Sequence, residues 1–231
     1  MVIKVAIVSI VGGFLCLDRI LIQAMLARPI VSASLIGMIL GDLYTGLIVG
    51  AFLELIWIDR VPIGSYIPPN DTLAAILIAA SAILAGQNLG HLSAALIALA
   101  ILALLPLAIL AQRIDLWIVR NNENTARKSL TDAQCCDDRA IARRHLKAIA
   151  SAWVLSAGFI LLALPLAVTF LTWVYPQLAD WTTRALTLTY GFIPLIGAAV
   201  VLNTIRLHGS VPTFCAVFLV ATAWITWIRE I

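Results

Sequence analysis

Charge is what this 231-residue sequence has least of. Asp, Glu, Lys and Arg make up 12% of it, against roughly 25% in a soluble domain. Hydrophobic residues reach 62%, where about 45–50% is usual. A soluble chain of this length could not cover so much apolar side chain, so lipid is the solvent for most of it and an all-α polytopic membrane protein is expected. Catalytic constellations are missing too. His91, His145 and His208 stand apart, and there is no Ser-His-Asp or Cys-His set, phosphate-cradling glycine loop or metal-ligand cluster. The four cysteines, Cys16, Cys135, Cys136 and Cys215, show neither a disulfide framework nor zinc spacing. A catalytic centre carried wholly on this chain, a metal site and a cofactor are therefore not expected.

No small-x-small cleavage site precedes Asp18, and Lys4 is the lone basic residue before it, so residues 1 to 17 read as a retained membrane helix. Residues 20 to 27, ILIQAMLA, are too short to span and read as a re-entrant or interfacial helix. An apolar run then covers residues 29 to 58, cut by Gly41-Asp42. From Pro29 to Gly41 there is about 20 Å of helix, whereas the hydrocarbon core needs about 30 Å. Either a half-helix turns back there, or a long helix breaks inside the membrane. Both options place Asp42 against protein or water, since irregular backbone is not tolerated against lipid. Two apolar helices follow, over 72 to 86 and 91 to 112, with Pro106 expected to kink the second.

Residues 113 to 147 differ from their surroundings. Eight of the fifteen basic residues fall here (Arg113, Arg120, Arg127, Lys128, Arg139, Arg143, Arg144, Lys147) with five acids, so the stretch carries a charge equal to the chain's net +3. By the positive-inside rule it faces the cytoplasm, as one or two amphipathic surface helices. Interleaved acids and a lack of stacking aromatics beyond Trp117 argue against nucleic-acid binding. Residues 148 to 174, 185 to 202 and 210 to 228 read as further membrane segments, with Pro165 in the first and Gly191, Pro194 and Gly197 interrupting the second. Trp173, Trp181, Trp224 and Trp227 fall near segment ends, as an interfacial belt would place them. The chain thus divides into a first membrane half (1 to 112), a polar connection (113 to 147) and a second half (148 to 231). A Gly/Pro-interrupted segment in each half leads us to expect broken or re-entrant helices and inverted structural repeats.

Asp42, Gly46, Gly50 and Glu54 recur every four positions and trace one drifting stripe of a helix. On a continuous helix Asp42 and Glu54 stand about 18 Å apart, too far for a general acid/base pair. Gly41 and Asp42 are therefore read as the structural break, and Glu54 as facing a buried polar site, because an ionisable group in a membrane segment is costly. Gly46 and Gly50, with Gly37 and Gly41, also fit small-xxx-small helix packing. Pro68 and Pro69 stiffen a turn before Asn70 and Asp71, either of which can cap the next helix or offer its side chain to a ligand. Asp18 and Gln23 are further candidates, with an Asp18–Arg19 local ion pair as the structural alternative.

Taken in order, Leu17-Asp18-Arg19, Arg28-Pro29, Gly41-Asp42, Gly46, Gly50, Glu54-Leu55, Pro62-x-Gly64 and Pro68-Pro69-Asn70-Asp71 closely resemble the IIC membrane subunit of the mannose/fructose/sorbose family of the bacterial sugar phosphotransferase system. The resemblance implies a bacterial inner-membrane subunit that moves a hexose inward beside a IID membrane subunit, within a higher oligomer. Cytoplasmic IIA and IIB subunits would supply the phosphoryl group, so this chain would not be an enzyme on its own. The resemblance also gives 113 to 147 a docking role. For a sugar carrier the expected substrate contacts are Glu54, Asn70 and Asp71, with Asp18 and Gln23 second to them. An ion-coupled secondary transporter, motivated by Asp42 and Glu54, and a membrane scaffold or receptor are the alternatives.

Overall fold

The computed structural model describes residues 1–60, 66–205 and 209–230; Pro62 and Gly64 of the motif region, and His208, lie outside the described residues. The described residues are mostly helical, with no strand among them: α1 (Val2–Leu17), α2 (Pro29–Leu40), α3 (Leu43–Ile56), α4 (Asp71–Leu89), α5 (Ala94–Leu104), α6 (Leu107–Gln134), α7 (Asp138–Val174), α8 (Asp180–Ile205) and α9 (Ser210–Glu230). The fold is organised around α4. A helix apolar on every side has no face for water, and residues 72 to 86 are buried without exception. α1, α2 and α7 pack on one side of it, and α3, α5 and α7 on the other, where α8 is joined through α3 and α5.

The cut at Gly41-Asp42 makes a hairpin. Pro29 starts α2 with its φ already helical, and Gly41 ends it in the left-handed region at φ +87°. Asp42 then sends its N–H back to the Gly37 carbonyl (2.8 Å), while its carboxylate accepts from Thr45 N (3.0 Å) and Thr45 Oγ1 (2.6 Å) to cap α3. α3 runs back along α2 at glycine-only distance. A Cβ on Gly46 would stand 2.5 Å from the Ala33 carbonyl oxygen, and one on Gly50 2.7 Å from that of Pro29. Of the two readings of residues 29 to 58, the half-helix that turns back is the one observed. The hairpin's tip is tied to the end of α4 by Gln87 Nε2, which donates to the Leu40 carbonyl (2.9 Å).

Two expectations need correction. Residues 20 to 27 form turns, not a helix, because the Asp18 carboxylate takes the N–H groups of Ala24 (2.9 Å) and Ala27 (3.1 Å). In the second half α7 is the long helix expected, with Pro165 inside it, while α8 runs unbroken through Gly191, Pro194 and Gly197, where an interruption was expected. The interruptions fall instead at the hairpin tip and beside Pro106, where α5 and α6 meet at 43°. The polar stretch is helical as expected, but α6 and α7 carry straight into it. They form a long arm whose turn holds Cys136 at φ +53° and whose second helix is capped by Asp137. By length and composition three described helices can cross a membrane, Asp71–Leu89, Asp138–Gln177 and Asp180–Leu202, with the bent α5–α6 pair as a fourth. The other apolar helices are shorter, at 10–17 residues.

Candidate functional site

Several chain segments end or turn at one level of the bundle. α1 stops at Leu17, α2 begins, α3 ends, α4 begins, and α6 passes from its apolar to its polar part. Thr72 Oγ1 donates to the Ala27 carbonyl (2.6 Å), the Asn70 N–H to that of Ala108 (3.1 Å), and Gln112 Nε2 to that of Ile67. Those bonds satisfy helix-end groups that lipid could not. Asp18, 4% exposed, holds the loop after α1 in a shape that places Gln23 (φ 56°) and Met25 (φ 63°) in the left-handed region. Such backbone costs a non-glycine residue about 1–3 kcal/mol and gathers at functional sites.

Arg19 does not pair with its neighbour Asp18. Its guanidinium lies 3.2 Å from Asp71 Oδ1 and 3.8 Å from Asp115 Oδ2. Asn70 caps α4 through Oδ1, which accepts from Leu73 N (2.8 Å), and turns its amide nitrogen onto both Asp115 oxygens (3.0 and 2.9 Å). Glu54 accepts from Arg28 Nη1 (3.2 Å) and from Ile30 N (3.4 Å), so it closes the base of the hairpin at the start of α2. Both signs of charge alternate around this level, and each carboxylate has a cationic or amide partner.

A cleft of about 370 Å³ opens here, walled by Asp18, Arg19, Gln23, Arg28, Trp57 and Asp71. It falls within the roughly 300–1,000 Å³ usual for small-molecule sites. On the far side of Arg19 lies a second cavity of about 210 Å³, walled in part by Cys16, Pro68, Asp115 and Ser156. Of the sequence candidates, Asp18, Gln23 and Asp71 line the cleft. Asn70 sits behind it, 1% exposed, and Glu54 reaches it through Arg28. Gly41 and Asp42 lie at the other end of the hairpin, Gly46 and Gly50 in its seam, and Pro68 and Pro69 lead into α4. His91 is at the hairpin-tip end and His145 on the arm, both away from the cleft.

Sequence reasoning missed Arg19, Arg28 and Asp115 as members of this constellation. Arg19 was readable only as a partner for Asp18, and Asp115 as part of a solvated stretch. Nothing in the local pattern signals a bond across 26 or more residues.

The family described as PTS system sorbose-specific IIC component matches residues 2–228. The PTS mannose-specific EIIC component of Escherichia coli K12 is 28% identical over 230 residues, covering 94% of this chain and 79% of that protein. The sorbose-specific EIIC component of Klebsiella pneumoniae is 28% identical over 222 residues (94% and 78%), and the fructose permease IIC component of Bacillus subtilis 168 is 25% identical over 219 (94% and 78%). In fold the chain resembles a cryo-EM structure of the mannose transporter ManYZ with microcin E492, at TM-score 0.61 and 24% identity over 99% of this chain and 92% of that one. Matched from end to end by one family and built of the membrane-spanning helices that family requires, the chain belongs to the mannose/sorbose family of PTS sugar-specific IIC components, multi-pass proteins of the inner membrane.

Proposed function

We propose that the chain moves a hexose of the mannose/fructose/sorbose class inward through the cleft at the meeting of the helix ends. A IID membrane subunit stands beside it, and cytoplasmic IIA and IIB subunits supply the phosphoryl group; the assembly is a higher oligomer in the bilayer. The observation that carries this reading is the cleft itself, where donors and acceptors of both signs converge with one aromatic face, Trp57, on a small volume. A neutral sugar is recognised by dense hydrogen bonding to its hydroxyls, and Asp18, Gln23 and Asp71 offer acceptors and donors for that. Glu54 and Asn70 act through Arg28 and Asp115, keeping the walls in place. Phosphorylation then belongs to partner subunits, and the basic arm of α6 and α7 faces the cytoplasm, where it can meet them.

The ion-coupled alternative rested on Asp42 and Glu54 as intramembrane carboxylates. Asp42 caps α3 and Glu54 pairs with Arg28, so each has a structural task that accounts for its presence. The test is mannose uptake in cells that also carry IID, IIA and IIB. Gln23→Ala and Glu54→Ala are expected to lower uptake about three- to tenfold at normal protein level, the loss of a hydrogen bond worth about 0.5–1.5 kcal/mol. Uptake should require phosphoenolpyruvate and survive an uncoupler. Uptake abolished by the uncoupler and indifferent to phosphoenolpyruvate would instead make the chain an ion-coupled carrier.

A further inference from the structure

Arg19 is the one side chain named above that walls both cavities. Its Nη1 is sealed from solvent yet makes no hydrogen bond of good geometry, standing between Asp71 at 3.2 Å and Asp115 at 3.8 Å. A guanidinium carries five N–H donors, and one that has shed water without gaining an acceptor is poorly settled. Its two acceptors are not equivalent. Asp115 is already held by both bonds from Asn70, whereas Asp71 Oδ1, the atom Arg19 approaches, also accepts from Thr72 N (2.9 Å) and faces the cleft. Anything that competes for Asp71 frees Arg19 toward Asp115, which is within reach by side-chain rotation alone.

We propose that Arg19 is a movable partition and a positioning residue: it aims Asp71 at the cleft, and passes to Asp115 when a sugar hydroxyl takes Asp71, joining the cleft to the inner cavity. The inference rests on the cleft being the sugar site. Cys16 reports it, since its thiol lines the inner cavity and the residue is 6% exposed.

The experiment follows alkylation of Cys16 by N-ethylmaleimide in membranes carrying the full chain with its partner subunits, read by mass spectrometry of the Cys16 peptide. Arg19→Ala is expected to raise the alkylation rate tenfold or more without any sugar, and Arg19→Lys, which keeps the charge on a narrower head, by a smaller factor. Arg19→Lys carries the test if Arg19→Ala does not reach the membrane. Rates unchanged in the variants that do reach it would overturn the partition. In the unmodified chain, saturating mannose should raise the rate several-fold. A raised rate in the Arg19 variants with no response to mannose would contradict the sugar-coupled exchange and point away from the cleft as the sugar site, while leaving the partition in place. Asp115→Asn, which takes the charge from the second acceptor and turns one of its oxygens into a donor, should raise the KM of uptake several-fold with little change in kcat. Equal loss in both would mean that Asp115 is merely structural.

Discussion

Two helical hairpins among the described residues, α2–α3 and α6–α7, are built on opposite rules. α2 and α3 meet inside the bundle, where lipid offers no hydrophobic drive for helices to associate. Their seam is made by removing side chains, with Gly37, Gly46 and Gly50 letting backbone lie against backbone. α6 and α7 meet on the polar arm, where Arg144 of α7 binds both oxygens of Asp132 on α6, while Arg127 and Glu123 (2.7 Å) pair within α6 itself. Such pairs in water contribute little each. One hairpin is therefore fixed by shape and the other adjusted by charge, and the hairpin fixed by shape ends on the cleft.

Gly46→Leu attacks the first rule at its tightest point. The new Cβ would begin 2.5 Å from a backbone oxygen that cannot step aside, so the cost should reach or exceed the roughly 1–3 kcal/mol of an overpacked core. We expect most of the chain to fail to reach the membrane, measured by quantitative blotting of membrane fractions. Asp42→Ala removes only the cap of α3, worth about 1 kcal/mol, and should lower the melting temperature in detergent by about 2–4 °C. Asp132→Asn on the arm should leave melting unchanged. Hydrogen bonding to Arg144 holds the Asp132 carboxyl below its ordinary value. The pair is therefore complete above the ordinary carboxylate range and is lost only as pH falls through the lowered value. Limited proteolysis at the arm's turn should be flat from neutral pH down to about 5 and rise only in stronger acid. A Gly46→Leu chain as stable as the parent, or an Asp132→Asn chain that fails to fold, would reverse the contrast between the hairpins.

The inner hairpin was legible in the sequence by counting. Residues from Pro29 to Gly41 are too few to cross, and Gly41-Asp42 supplies the left-handed stop and the cap that a reversal needs. Asp42 and Glu54 were likewise rightly kept apart, since they occupy opposite ends of α3. The walls of the cleft were only half legible. Asp18, Gln23 and Asp71 could be picked out as polar residues at breaks in an apolar chain, but their partners could not. Arg19 lies 52 residues from Asp71 in sequence and Arg28 lies 26 from Glu54, and helix periodicity relates only residues on the same helix. The unbroken α8 shows the other limit. A proline in a long apolar segment signals a missing N–H, not a break, because neighbouring helices can satisfy the freed carbonyl.

The central claim is that Asp71 faces a bound sugar across the cleft, and the most direct measurement is the KM of mannose uptake in Asp71→Asn. The substitution keeps the size and leaves the Asn70 cap of α4 in place but removes the charged acceptor. With IID, IIA and IIB present and the chain at normal level in the membrane, KM should rise about ten- to a hundredfold, the equivalent of a charged hydrogen bond of about 1.5–3 kcal/mol. An unchanged KM at normal protein level would contradict the account and move the sugar away from this cleft.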